Sequence, residues 1–557
     1  MLLLSKSRLL SFRQCPLRLW NEIHRRDLAA LPDAGAQHLF DEGTRIGKLA
    51  RQRYPGGKLI DAHQKDSPDW IPAFAGMTMN DNAVRQTIQA LNDPSIPAIF
   101  EAAFFADNTL VRCDILKRVG SRKWEMWEVK SVGSPKDIHV IDVAIQAEIA
   151  RRWAMQQPPL TPPSYVAPPS LVAMVGMPAG SRRYDYIEGG DLRIVRCGIL
   201  HLNKDYVYQG GEYDLQSLFT EYDCTDYARD IREEIDCLIR DGFKVASLPE
   251  PPDITPGEQC DNPYPCPFLG TACAEPPVDE LTLLPRMTEK KLAQLKERGI
   301  SQIDQLSESD TELSVTQQRA VAAWKSGEVV IEPGLKRVLN QIGYPRMHLD
   351  FETFMAALPR YPGTRPFQTI PFQFSIHIEL QRGGDAVHAG YLHNEDTDPR
   401  RSLTEAMLEC LEAPQGDSLR ANCPILTYSH YEKRIIGELA EVLPDLRLRL
   451  LAIQGRLMDL LPIIRNNVYA REFGGGFSVK KVLPALVPAM GYDDLDIAEG
   501  GMASLKYLEM IELKKMATGG DAGATDAAQK IYNDLWLYCE RDTEAMVALM
   551  KQLEANP

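Results

Sequence analysis

Met347-His348-Leu349-Asp350-Phe351-Glu352-Thr353-Phe354 is the stretch whose reading decides the fold. Its pattern predicts a β-strand, in which residues i and i+2 share a face. Asp350 and Glu352 would then point the same way, close enough to repel unless a cation sits between them. Two hard oxygen donors on one strand suit Mg²⁺ or Mn²⁺. An isolated Asp-x-Glu is commonly an exposed strand with two solvated acids, so the residues downstream decide.

Further along, Ile425-Leu426-Thr427-Tyr428 reads as a strand leading into Ser429-His430-Tyr431-Glu432-Lys433. Leu457-Met458-Asp459-Leu460 follows, then Gly474-Gly475-Gly476 stepping into a helix with Lys480 and Lys481. Tyr538 and Asp542, four apart on the terminal helix, share one helical face. Packed on the strand bearing Asp350 and Glu352, that helix would close a two-metal phosphodiesterase site, with metals about 4 Å apart. Tyr538 could orient the nucleophile.

In order, these pieces resemble the DEDD-type 3′–5′ exonucleases of the RNase H-like fold, in their Tyr-containing subclass. They also resemble an uncharacterised bacterial family that pairs such a domain with a RecB-type module. The resemblance covers about residues 340–557. It implies divalent metal held by Asp350, Glu352, Glu432 and Asp542. Those exonucleases usually carry Asp in the second motif, where Glu432 stands here, and a longer acid shifts metal geometry. Asp459 matches a recurrent acid between the second and third motifs and is a supporting candidate for the same metal site. Glycine triplets are more often connectors than phosphate-neighbouring loops. Lys480 and Lys481 could touch backbone phosphate but read first as a solvated pair, and His430 reads as a packed or exposed neighbour.

The N-terminal half has its own constellation. Strands are expected at Ala98–Phe105, Thr109–Ile115 and Trp124–Val129, and a helix at Ile138–Trp153. Asp114 ends one strand, and 14 residues later Glu128-Val129-Lys130 puts an acid and a lysine on one face of the next. Asp114 and Glu128 could hold a divalent metal, while Lys130 orients water or offsets charge on phosphate. Glu101 is a candidate further acid or a structural ion pair. With Gln146 on the following helix, the segment resembles the RecB-type PD-(D/E)XK nucleases, whose motif runs Asp, Glu-x-Lys, Gln-x-x-x-Tyr. Ala150 stands where that Tyr belongs.

Cys260, Cys266 and Cys273 lie in a stretch rich in proline and glycine, and with a fourth thiolate they could hold Zn²⁺ or an iron–sulfur cluster. Cys15, 245 residues before Cys260, is the candidate fourth. This arrangement resembles the four-cysteine RecB-type nucleases, including the CRISPR-associated adaptation nuclease, and implies a [4Fe-4S] clasp, with Zn²⁺ or reduced free thiols as the alternatives. The other seven cysteines are expected to be buried thiols.

Around these motifs, Ser5 or Ser7 would cap a first helix that breaks at Cys15-Pro16 before a second running to about Arg26. Residues 40–53 and Tyr227–Ile239 read as helices. Asp66–Thr78 has no periodicity and resembles a translated mobile-repeat insertion, expected as a surface loop. Pro158–Pro169 reads as a connector, followed by a possible strand at Ser170–Val175. Thr288–Arg298 would be a helix stopped by Gly299, in a segment resembling a helix-hairpin-helix or serving as a plain spacer.

A chain of 557 residues exceeds a single core. We expect a multidomain α/β protein: a RecB-like restriction-endonuclease-type domain at 1–275, a small helical connector at 280–335 and an RNase H-like domain at 340–557. A net charge of −15 argues against non-specific coating of duplexes, but leaves room for a nuclease whose acids gather around metal. No apolar run reaches membrane-spanning length, and the opening residues lack a signal-peptide pattern, so a cytoplasmic protein is expected. Together the two resemblances imply hydrolysis of nucleic acid, most readily single-stranded DNA ends with RNA as the alternative, in repair, recombination or defence. A nucleic-acid-binding scaffold with inactive sites is the competing expectation.

Overall fold

In a computed structural model that describes residues 2–60, 76–156, 192–412, 422–519 and 521–555, the chain divides into two units. Met1–Pro276 with Ala356–Phe367 forms one, and Pro277–Met355 with Gln368–Pro557 the other. The expected boundaries at 275 and 340 therefore differ from the observed ones, because the chain returns to the first unit at Ala356–Phe367.

The first unit opens with β1 (Leu4–Ser5), α1 (Lys6–Gln14) and α2 (Pro16–His24). Ser5, not Ser7, caps α1 by accepting from the Arg8 N–H. Cys15 is extended (φ −160°, ψ 121°) because the following proline disfavours helical geometry before it, while Pro16 itself suits a first helical turn. Next come α3 (Ala34–Arg51), β2 (Lys58–Leu59), α4 (Gly76–Asn92), β3 (Ala98–Ala106), β4 (Thr109–Arg118), β5 (Lys123–Lys130) and α5 (Asp137–Gln156). β6 (Arg193–Leu202) and β7 (Phe219–Asp223) complete a mixed sheet ordered β2-β3-β4-β5-β6-β7, with β1 added beside β4. Alternation sends Ile99, Leu116, Met126 and Ile199 to the face covered by α5, and Phe100, Ile115, Trp127 and Leu200 to the face packed by Ile46 and Ala50 of α3. The single helix expected at Tyr227–Ile239 is two, Thr225–Asp230 and Arg232–Ala246, divided at Ile231. Of the expected insertion, residues 66–75 lie outside the described residues and Gly76–Thr78 begins α4. The connector at 158–169 and the strand at 170–175 also lie outside them.

One detail of pairing positions the first site. β4 pairs with β5 only from Ile115↔Trp127 to Arg118↔Trp124, whereas β5 continues along β6 to Lys130↔His201. On that side of β4, Thr109 and Leu110 pair instead with Leu4 and Ser5 of β1. The ladder therefore opens around Asp114 and Glu128, and the start of α1 lies beside the opening.

The second unit carries β8 (Val330–Ile331), β9 (Arg346–Met355), β10 (Thr369–Glu379), β11 (Ala386–Leu392), β12 (Ile425–Thr427), β13 (Leu457–Asp459) and β14 (Val468–Tyr469). Its main sheet is ordered β11-β10-β9-β12-β13; β9, β10 and β11 run antiparallel, and β12 and β13 add parallel to β9. Met347, Leu349, Phe351, Phe374 and Ile376 form a core with the helices Arg400–Leu411, Tyr431–Val442 and Arg447–Gln454. The intervening residues turn to the other face, where Ser375 Oγ meets Thr543 Oγ1 at 2.6 Å and the Gln373 amide donates to the Leu535 carbonyl at 2.9 Å. Both partners lie on the terminal helix, Ala522–Ala555.

The segment expected as a separate connector at 280–335 instead belongs to the second unit. β8 pairs with β14, and Arg319 donates to the Arg465 carbonyl at 3.0 Å, so tertiary bonds hold it there. Its helix Glu289–Glu297 ends before Gly299 at φ +78°, a stop that favours glycine. Conversely, Ala356–Phe367, between β9 and β10, belongs to the first unit rather than to a continuous 340–557 domain. Tyr208 exchanges backbone hydrogen bonds with this segment, donating to Thr364 and accepting from Gly363 at 3.0 and 2.7 Å. Among the described residues, no helix is long and apolar enough to cross a membrane.

Candidate functional site

In the second unit, β9 projects Asp350 and Glu352 from the face that packs on the terminal helix, and that helix brings Asp542. Glu432 joins them from the first turn of Tyr431–Val442, where Ser429 Oγ donates to Glu432 Oε2 at 3.4 Å. Burial, then the charges of Asp542, Glu432 and Glu352, push Asp350 well above the ordinary carboxylate range. Glu352 moves the same way through burial, Asp542 and Glu432. Burial chiefly raises Glu432 to about 7 and Asp542 to about 6. Asp542 thus raises the proton affinity of the other three acids, and the four together form a site short of positive charge.

Lys480 is the cation that relieves them, lowering Asp350, Glu352 and Asp542. Its ammonium donates to the Ala498 carbonyl and, at 3.2 Å, to the Tyr538 hydroxyl. The expectation of a solvated Lys480–Lys481 pair is therefore corrected: packing turns Lys480 inward, whereas Lys481 reaches the Gly474 carbonyl at 3.5 Å. Tyr492 donates to Asp542 Oδ1 at 2.6 Å. Burial and then Asp542 keep the Tyr538 phenol protonated far above its ordinary range. The helix Gly500–Thr518 begins beside these groups, since a Cβ on Gly500 would lie 3.8 Å from Glu352 Oε2 and 3.9 Å from the Tyr538 hydroxyl.

Asp459 borders this cluster. It caps the helix Leu460–Asn467 by accepting from the Leu461 N–H at 2.9 Å, and its charge raises Glu432. His430 is exposed. Cys539 offers a sulfur within 4.8 Å of oxygens from both Asp350 and Glu352. Burial first, then those carboxylates, hold its thiol well above the ordinary range, so the hard donors are the oxygens.

In the first unit, the opening between β4 and β5 gathers Asp114, Glu128 and Lys130. Asp114 Oδ2 accepts from the Val129 N–H at 2.7 Å, a donor that β4 no longer pairs. Gln146 bridges two acids, donating to Glu128 at 2.8 Å and to Asp142 at 3.0 Å. Lys130 contacts the same pair at 2.8 and 2.7 Å. Lys6, at the start of α1, does so too, at 2.7 Å to Glu128 and 3.2 Å to Asp142. Burial and the Glu128 charge raise Asp114 to about 7 despite Lys6. Against the upward push of burial, Lys6 and Lys130 hold Asp142 far below the ordinary range.

Glu101 stands across from Asp114, between the pairs Phe100↔Ile115 and Ala102↔Cys113, with φ at +57°. That left-handed backbone costs a non-glycine residue about 1–3 kcal/mol. Its carboxylate meets Arg51 at 2.6 Å and its charge raises Asp114. Ala150 is fully buried in the core under α5.

Cys15, Cys260, Cys266 and Cys273 line one small cavity, although Cys15 lies far from the others in sequence. Gln14 fastens the two segments by donating to the carbonyls of Gln259 and Tyr264, each at 2.7 Å. Burial raises the Cys266 and Cys273 thiols, and neighbouring cysteines raise them further. Of the other seven cysteines, Cys237 is exposed and Cys410 half-buried, contrary to expectation, because both lie on outward parts of helices. The Tyr264 hydroxyl lies 3.2 Å from His139 Nε2 on α5, so the cysteine-bearing loop also borders the carboxylate site.

Sequence reasoning missed Lys6, Asp142, Tyr492 and the role of Lys480. Asp142 was accessible, since it lies one helical turn before Gln146. Lys6 and Tyr492 carry no local signal; their roles come from tertiary packing.

Residues 347–478 match a family described as a domain of unknown function (DUF2779). That match includes Asp350, Glu352, Glu432 and Asp459 and stops before Lys480 and Asp542. No curated protein and no solved structure matches the chain.

Proposed function

We propose that the chain is a metal-dependent nuclease of the cytoplasm that hydrolyses phosphodiester bonds in single-stranded DNA. The observation that carries this reading is the convergence of Asp350, Glu352, Glu432 and Asp542, buried or half-buried acids among which the Asp542 charge opposes ionisation of the other three. Their oxygen donor set fits Mg²⁺ or Mn²⁺. Such ions, when bound, lower the pKa of water and offset charge on the leaving oxygen. Tyr538 keeps its proton and can hydrogen-bond a phosphate oxygen or the nucleophile, with Lys480 beside it as a positive charge. The three antiparallel strands followed by two parallel ones support an RNase H-like reading of this unit.

The first unit fits a RecB-like reading through Asp114, Glu128, Lys130 and Gln146 on a mixed sheet. Asp114 and Glu128, with Glu101 nearby, would hold a divalent ion, and Lys130 would stabilise charge on phosphate. A second reading, binding without cleavage, is favoured here by Lys6 and Lys130, which already neutralise much of the acid charge. The cavity formed by Cys15, Cys260, Cys266 and Cys273 fits a thiolate-bound group. A zinc tetrahedron with bonds of about 2.3 Å draws its sulfurs to within about 3.8 Å. The same four thiolates would hold a [4Fe-4S] cluster, with Zn²⁺ as the alternative.

The test is an anaerobic assay of the full chain on end-labelled single-stranded DNA and matched RNA with Mg²⁺ or Mn²⁺. Asp350→Ala and Lys130→Ala should each remove a separate share of cleavage. Undiminished degradation by the double variant rejects both assignments, and preference for the RNA strand replaces DNA with RNA as substrate.

A further inference from the structure

We propose that the polar cavity beside α3 is a seat for single-stranded nucleic acid approaching the first unit's carboxylates. The proposal rests on the nuclease reading and deepens it by assigning a strand-binding site. The cavity has a volume of about 510 Å³ and is lined by Thr44, Arg45, Lys48, Gln52, Tyr213 and Leu358. Asp41 lies at the end farther along the helix from Arg51 and accepts from Gln37 at 3.1 Å.

Three features point to this occupant. First, Arg45 and Lys48 are exposed one turn apart, and neither forms an ion pair with an acid among the described residues. In a chain of net charge −15, two such cations around one cavity suit successive phosphates. Second, the lining mixes charge with an aromatic and an apolar surface, the combination that a phosphate, sugar and base require. Tyr213 is fixed by donating to the Pro359 carbonyl at 2.9 Å and by its pairing with Tyr208, with ring centroids 4.8 Å apart. Third, side-chain contacts link the helix that carries these cations to the acids on the other face of the sheet. Arg51 follows Lys48 by three residues, hence neighbours it on the helix, and reaches Glu101 at 2.6 Å. Glu101 in turn acts electrostatically on Asp114.

The test uses the full chain with Ca²⁺ replacing Mg²⁺ and a fluorescent oligo(dT) of about 20 nucleotides, read by anisotropy across a salt series. Arg45→Glu with Lys48→Glu should weaken binding by about tenfold or more and flatten the log–log salt dependence by about two phosphate contacts. Arg45→Ala with Lys48→Ala should weaken it in the same direction by less, and unchanged melting temperatures would certify the fold. Arg240→Glu with Lys244→Glu, an equal charge change on the exposed helix Arg232–Ala246, should shift affinity by no more than about twofold. Equal weakening by both reversals, or none by the first, overturns the seat while leaving the nuclease reading intact. A wild-type chain that neither binds nor cuts the oligonucleotide overturns both.

Discussion

The Lys6 ammonium lies 2.7 Å from Glu128 Oε1, across 122 residues of sequence. It also reaches Asp142, so the first helical residue of the chain supplies one of the two lysines of the first carboxylate site. Removing that charge leaves buried acids without a partner. Lys6→Met should therefore lower the melting temperature in EDTA, corresponding to a loss of about 3 kcal/mol. Mn²⁺ should recover part of the loss, and differential scanning calorimetry with and without the ion checks it.

The second site makes the opposite stability prediction. Asp350→Asn removes one of several mutually repelling acids, so the metal-free chain at pH 8 should gain about 1 kcal/mol while cleavage falls about a hundredfold or more. Thermal melting in EDTA and cleavage in a Lys130→Ala background measure the two effects separately.

Metal-free stability should also depend on pH. Asp542 and Glu432 rise from ordinary values of 3.8 and 4.5 to about 6 and about 7 in the folded chain. The folded state then binds more protons than the unfolded state across that interval, so their contribution to stability falls as pH rises from about 4 to 7. Melting in EDTA should be higher near pH 5 than near pH 8 from these groups. Asp542→Asn should flatten the slope, and Mg²⁺ should restore stability at the higher pH.

Tyr492 tunes the same acid. Its hydrogen bond lowers Asp542 against the effect of burial. In Tyr492→Phe, the acidic limb of the kcat/KM profile should move to higher pH by up to about one unit. A profile that keeps its position while the rate falls would assign Tyr492 to packing alone.

For the cysteine cavity, purified wild-type protein should be brown, absorb near about 400 nm and contain iron. Cys15→Ser or Cys266→Ser should remove the colour. Cleavage lost with Lys130→Ala should fall with it, because α1 spans from Cys15 at its C-terminal edge to Lys6. Colourless wild-type protein with bound zinc would replace the cluster assignment.

What could be read from the sequence was local. Period-two spacing placed Asp350 and Glu352 on one strand face, and the four-residue spacing of Tyr538 and Asp542 placed them together on a helix, because both patterns need only backbone geometry. The Cys15–Pro16 break followed from proline sterics. Lys6 was hidden because a lysine in a first helical turn is ordinarily solvated, and only the β1–β4 pairing turns this one toward acids. Lys480 likewise depends on where the helix Val479–Leu486 packs. Nor does any composition shift mark Ala356–Phe367 as part of the first unit.

That last segment governs how the protein can be dissected. A truncation at Pro276 would strip the first unit of Ala357 and Leu358 from its core and of the Pro359 carbonyl that anchors Tyr213. The complementary fragment would carry those apolar residues without their packing partners. Each half made alone should be prone to aggregate, and mixing the halves should rescue solubility only when Ala356–Phe367 is available to the first.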